Sequence, residues 1–206
     1  MIAPVDALIR PEPRDAGRIA AMLASAMLDD PLQNHYFQDH PKKEELGRAL
    51  FRLLAAYGIR QGNLLSTSAR FEGVALWQTP QDAVWRGAAG LLGGGLRLML
   101  AAGWPVIRRM VQASFFGYRL RRQLVPGPHW YLGLLAVARE HRGKGYAGAL
   151  LRPVLELARR QGLPCYLETH KTANVGLYEH FGFRVAAQVL VPQSGVRQWC
   201  MVKEAD

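Results

Sequence analysis

Cysteine is almost missing from this sequence: Cys165 and Cys200 are the only two in 206 residues. Two thiols cannot build a disulfide framework. They suit a reducing cytosol, where each reads as a small apolar core residue. Acidic residues are scarce as well, 16 against 26 Lys and Arg, which leaves a formal net charge of +10. That balance turns the chain toward polyanions: a nucleic acid, an acidic membrane surface or a phosphorylated small molecule. Long apolar runs are lacking too. The most apolar region, 88–102, is interrupted by Gly90, Gly93, Gly94, Gly95 and Arg97, and is too short and too broken to span a bilayer. Pro4 and Asp6 stand where a signal peptide would carry its apolar run. A cytoplasmic location without stable membrane insertion is expected. No repeat, low-complexity tail or linker divides the chain, so 1–206 is expected to form one domain.

Half of the residues are hydrophobic, enough for a substantial core. Ala7 to Arg10 reads as a short edge strand. Asp15 reads as the N-cap of a helix whose apolar face is Ile19, Met22, Leu23, Ala26 and Met27. Pro41 suits the first turn of a second helix carried by Leu46, Leu50, Leu53 and Leu54. Strands are expected at 64–68 and 74–79. The section 82–125 stands out, with seven arginines, no lysine and one acid, Asp82. From Trp104 its pattern is helical: Trp104, Ile107, Val111 and Phe115 share a stripe, while Arg108, Arg109, Gln112 and Arg119 share another face. Such a basic insertion can be a core-facing helix with a solvated side, a lid over a substrate, a membrane-surface helix or a homodimer interface.

The run Trp130 to Val137, WYLGLLAV, is nearly all apolar, as a central strand covered on both faces requires. A helix follows with Ala147, Leu150, Leu151, Val154 and Ala158 on one face and Gly162 closing it. A strand at 164–168, a short helix capped by Asn174 and a hairpin of 183–191 with 196–202 complete the order. The fold class is α/β (α+β), helices on a mixed sheet.

The turn between the central strand and its helix, Arg142 to Ala147, reads RGKGYA. Glycine lets backbone approach a ligand closely, and successive N–H groups at a helix start form a nest for an anion such as pyrophosphate. Neither a P-loop nor a Rossmann fingerprint is present, because Gly145 is followed by Tyr146 and Ala147 and no acid follows at the required distance. The spacing R-x-x-G-x-A after an apolar strand, together with LETHKTANVGLYEHFGFRV at 167–185, resembles the two signatures of the GCN5-related N-acetyltransferase (GNAT) superfamily. The resemblance is nearest to its puromycin-acetyltransferase-like branch, through VALWQTP at 74–80, Pro153 within a helix, CYLET at 165–169 and RQWCM at 197–201. It covers 130–203 well and 74–80 locally. The N-terminal third matches only in outline, and 82–125 carries no signature.

What the resemblance implies is a GNAT fold: a mixed central sheet of about six or seven strands flanked by helices, with a helical insertion before the fourth strand. The implied reaction is direct transfer of acetyl from acetyl-CoA, as co-substrate, to a primary amine, with no acetyl-enzyme and no metal. Backbone of Leu135, Ala136 and Val137 would orient the pantetheine. Arg142, Gly143, Lys144, Gly145, Tyr146 and Ala147 would hold the pyrophosphate. Tyr178 matches the family tyrosine near the CoA sulfur and is the candidate acid, since a hydroxyl of pKa about 10 can protonate a thiolate. Glu168 is the candidate base, acting directly or through water; an ion-pairing role is its alternative. Asn174 would cap the helix of Tyr178 and touch CoA. Lys171 stands where many relatives carry an asparagine, and reaches for a phosphate instead. His129, His141 and His170 are nearby in sequence but have no motif behind them. Trp77, Trp85, Phe115, Phe116 and Trp130 are aromatic candidates for an acceptor pocket, and arginines there would disfavour polyamines and histone-like tails. The expected partner is a small-molecule amine, not a nucleic acid. Acetylation of a protein lysine or N-terminus, and a non-catalytic CoA-binding sensor, stay open as alternatives.

Overall fold

The computed structural model describes residues 5–80 and 95–205. Trp85, and the part of the basic section before Gly95, lie outside the described residues. Helices α1 (Ala16–Ala26), α2 (Pro31–Phe37) and α3 (Lys43–Arg60) precede strands β1 (Leu64–Ser66) and β2 (Gly73–Gln78). The long helix α4 (Leu96–Leu124) leads into β3 (Trp130–Val137), α5 (Tyr146–Arg160), β4 (Cys165–Thr169) and α6 (Thr172–His180). The hairpin of β5 (Arg184–Leu190) and β6 (Arg197–Lys203) follows.

The six strands form one sheet in the order β1-β2-β3-β4-β6-β5. Only β3 and β4 are parallel, joined by the crossover helix α5; the other neighbours are antiparallel. This is the expected mixed sheet flanked by helices. Its two faces take different cover. On one, Trp77, Trp130, Leu132, Leu167, Trp199 and Met201 pack against Leu150, Leu151, Val154 and Ala158 of α5. On the other, Val74, Leu76 and Ala136 pack against α1 and α3 through Ile19, Leu23, Phe51 and Ala55. A satellite core of Phe37, Leu46, Leu98, Ala102 and Val106 binds α4 to α2 and α3. Each such cluster removes apolar area from water, at roughly 25 cal/mol per Å².

Two irregularities along β3 shape the sheet around the site. The β2–β3 register pairs Leu76 with Leu134 but Trp77 with Leu132, so Gly133 is an extra residue in β3. The bulge keeps Tyr131 on the same face as Leu134 and Ala136, since those residues oppose Gln78, Leu76 and Val74. The parallel pairing then stops. Leu132 opposite Leu167 is the last β3–β4 pair, and beyond it the two strands part.

Several local expectations need correcting. Ala7 to Arg10 gives a single bridge, Ile9 to Ser66, rather than a strand. Helix α2 was not anticipated, although Asp30 accepts the Gln33 N–H at 2.9 Å and Pro31 follows it, a start signal with too little apolar pattern behind it. Pro41 lies before α3, whose cap position is Lys42. Helix α4 begins at Leu96 and is broken at Gly103 (φ 70, ψ 167), so Trp104 marks the start of its second segment. Asn174 does not cap α6: that helix begins at Thr172, and Asn174 donates from Nδ2 to Thr169 Oγ1 at 3.2 Å. Cys165 and Cys200 are both free and buried.

Candidate active site

A cavity of about 1750 Å³ opens where β3 and β4 part. That exceeds the roughly 300–1,000 Å³ usual for one small ligand and leaves room for two. Leu135, Ala136, Val137, Arg142, Gly143, Gly145, Tyr146, Ala147, Glu168, Asn174 and Tyr178 all line it. Residues drawn from two separate stretches of sequence therefore meet around one space.

The turn into α5 forms one end. Gly143 and Gly145 have φ of 74° and 83°, in the region that side chains avoid. A Cβ built on either would meet nothing within 4 Å, so the turn presents bare backbone to the cavity. The first N–H groups of α5 lack intrahelical acceptors and point their dipole the same way. The turn fits a diphosphate. Its cations are used differently from the sequence expectation. Arg142 lines the cavity, yet its Nη2 donates to Ala26 O at 2.9 Å, while Arg139 Nε donates to Ser25 O at 2.9 Å. The two arginines thus satisfy the last carbonyls of α1. Lys144 does not line the cavity, and its Nζ donates to Glu140 O at 2.9 Å. Lys171 pairs with Asp29 at 2.8 Å, and the ammonium beside it holds the Asp29 carboxyl below its ordinary value.

Glu168 and Tyr178 come from β4 and α6. Tyr178 is buried against Phe183, ring centroids 6.0 Å apart and edge-on. Burial raises its hydroxyl pKa above the ordinary tyrosine value, so it stays protonated as a donor. The Glu168 carboxylate accepts from two tyrosines, Tyr166 at 2.9 Å and Tyr131 at 3.2 Å. Burial first, and the Glu168 charge second, push both of those hydroxyls up, which keeps them as donors. The same two causes, with Asp30 between them in size, act on Tyr36. The ring of Tyr131 is in turn covered by the Arg121 guanidinium at 4.2 Å. On the helix side, Gly117 leaves Glu168 uncovered: a Cβ there would come within 3.3 Å and 3.5 Å of its two oxygens.

Tyr131, Tyr166, Arg121 and Gly117 were not found by sequence reasoning. Tyr166 had a usable signal, since it stands two residues before Glu168 and so shares its face of β4. Of the histidines, His141 lines the cavity, stacks edge-on to Tyr146 at 5.7 Å and has a buried Nδ1 without a partner. His170 also lines it and meets Gln198 at 3.2 Å. His129 lies elsewhere, bonded to Gly127 O at 2.7 Å, and burial lowers its pKa. The aromatic candidates divide similarly. Trp77 and Trp130 are core residues packed edge-on at 6.4 Å. Phe115 lines the cavity and Phe116 does not. The acceptor wall is also not rich in arginine. Among the described arginines of α4, Arg121 alone lines the cavity; Arg97, Arg108, Arg119 and Arg122 are exposed, and Arg109 bonds Asp39 at 2.6 Å. No described helix is long and apolar enough to cross a membrane.

The chain matches the model of the Acetyltransferase (GNAT) family over residues 109–183. It is 27% identical over 187 residues to an uncharacterized N-acetyltransferase of Schizosaccharomyces pombe, an alignment covering 84% of this chain and 72% of the yeast protein. Among solved structures, it resembles one described as histone acetyltransferase HPA2 and related acetyltransferase from Corynebacterium glutamicum. The TM-score there is 0.62 at 23% identity, over 96% of this chain and 94% of the other. An N-acetyltransferase from Staphylococcus aureus gives 0.63 at 15% identity, over 95% and 98%. At these identities the two structural likenesses speak for the fold.

Proposed function

We propose that this chain, which matches the GNAT acetyltransferase family model over residues 109–183 and an N-acetyltransferase at 27% identity, moves acetyl from acetyl-CoA to the primary amine of a small molecule. The observation that carries this reading is the meeting of the glycine turn, the parted strands, Glu168 and Tyr178 in one cavity. Gly143, Gly145, Tyr146 and Ala147 would hold the diphosphate, and the inner edge of Leu135 to Val137 the pantetheine arm. The co-substrate, when bound, supplies an acetyl thioester. The chain's own residues do the rest. Glu168, held between two tyrosine hydroxyls, receives the acceptor's ammonium and takes a proton from its nitrogen. Tyr178, kept protonated by burial, is the proton donor for the departing sulfur. A cavity walled by α2, α3 and α4 suits a small molecule better than an extended polypeptide.

The test is thiol release from acetyl-CoA over a panel of aryl and alkyl amines, amino sugars, polyamines and lysine peptides, with Tyr178→Phe alongside. Release with a small amine, lost in the variant, is the expected outcome. Turnover of peptides alone would replace the small-molecule reading with protein acetylation. Tight acetyl-CoA binding without any turnover would point to a sensor.

A further inference from the structure

The wall of the cavity away from the glycine turn is mostly apolar, with Leu50, Leu54, Leu76, Met110 and Phe115 facing the space. A side chain with an unanswered polar group interrupts it. Gln78 ends β2, is 6% exposed, lines the cavity, and has a buried Oε1 with no hydrogen-bond partner. An amide oxygen left so in a folded protein has given up its hydrogen bonds to water without replacement. It is also placed on a stiff element. Gln78 stands opposite Tyr131 in the β2–β3 register, and the Tyr131 hydroxyl bonds Glu168. The sheet therefore places two side chains with acceptor oxygens on the lining of one largely apolar space, Glu168 and Gln78, on strands with β3 between them, and a turn of the Gln78 amide would bring its buried oxygen to a ligand.

We infer that Gln78 is the far anchor of the acceptor, and that the acceptor is a primary amine on an apolar body carrying a second O–H or N–H donor at its other end. This rests on the small-molecule reading given above. The ammonium meets Glu168, the apolar body lies against the leucine and methionine wall, and the distal donor satisfies Gln78 Oε1. Strands β2 and β4 are about 10 Å apart across β3, so the acceptor needs a body of several carbon atoms between its two polar ends, as a hydroxylated phenylalkylamine has. A polyamine would set a second cation against apolar wall and the Arg121 guanidinium. An amino sugar would set several hydroxyls against the leucine and methionine wall. Gln78 in this role is a specificity residue.

Matched pairs test it: tyramine against phenethylamine, and 3-(4-hydroxyphenyl)propylamine against 3-phenylpropylamine, with spermidine, glucosamine and a lysine peptide as the other classes. The wild-type chain should favour the hydroxylated member of at least one pair by about tenfold or more in kcat/KM. In Gln78→Met, which keeps length and removes the acceptor, that ratio should fall to near one. Equal use of both members by the wild type overturns the inference whatever the variant does, so a poorly folding variant leaves it testable. A preference that survives in Gln78→Met overturns it too. Turnover confined to spermidine or glucosamine overturns it while leaving the small-molecule reading intact. Turnover confined to the peptide, or none with any amine, removes both.

Discussion

The two ends of the cavity are composed differently. The end assigned to the co-substrate comes from two stretches, 135–147 and 169–178, and much of it is backbone: glycines of positive φ, a helix start and a strand edge. The end assigned to the acceptor is a mosaic of Leu54, Gln78, Met110, Gly117, Tyr131 and Glu168, one side chain at a time from five elements. A backbone site needs bare turns at fixed spacing, so its sequence is constrained locally. A side-chain site needs only that distant positions converge, and its residues can vary one by one.

The contrast can be broken at either end. Tyr178→Phe should have the largest effect, lowering kcat about 100-fold or more, with the acetyl-CoA Kd by calorimetry within about twofold. Gly145→Ala should act on the co-substrate alone. The left-handed backbone costs about 1–2 kcal/mol with a Cβ, seen as a lower melting temperature, and the KM for acetyl-CoA should rise about tenfold with the amine KM little changed. Gly117→Ala should do the reverse. Its Cβ crowds a carboxylate that two tyrosines hold in place, so kcat/KM for the amine falls about tenfold while acetyl-CoA binding stands. Folding stability should hold or gain up to about 1 kcal/mol, as alanine favours a helix.

Alkaline pH sharpens the comparison through four tyrosines. Tyr36, Tyr131, Tyr166 and Tyr178 all have raised hydroxyl pKa values, burial being the first cause in each. Below about pH 10 both folded and unfolded chains keep these protons. Above it the unfolded chain releases them and the folded chain does not, so stability falls as pH rises. Denaturant titrations from pH 8 to 11 should show that loss. It should shrink in Tyr131→Phe and in Tyr178→Phe, one from each end. Lys144→Ala should change least, under about twofold in any constant, because its ammonium bonds Glu140 O outside the cavity. A tenfold rise in acetyl-CoA KM would return Lys144 to the anion site.

Much of this was legible in the chain, in proportion to how local the physics is. WYLGLLAV gave β3 to the residue, because eight apolar residues between turn signals admit few other readings. The glycine turn and Tyr178 were legible as candidates because the motifs that carry them have fixed spacing. The bulge at Gly133 was not, since register depends on both strands. Nor was Gln78: a polar residue ending the buried strand VALWQ was visible, but its lack of a partner is a property of the whole interior. Gly117 had a faint signal as a glycine within a helical pattern, yet nothing in sequence sets it against Glu168. Arg142 was legible as a cation at the turn. That it would reach back to Ala26 required knowing where α1 ends.

That reach has a consequence for taking the molecule apart. Arg139, Arg142 and Lys171 bind Ser25, Ala26 and Asp29, so the family signatures are bolted to a helix more than a hundred residues upstream. A fragment cut to 109–183, the span that matches the family model, would keep Glu168, Tyr178 and both glycines. It would also lose α1 to α3, β2, and the β6 strand that pairs with β4. Such a peptide would still match the family model, and would have no cavity.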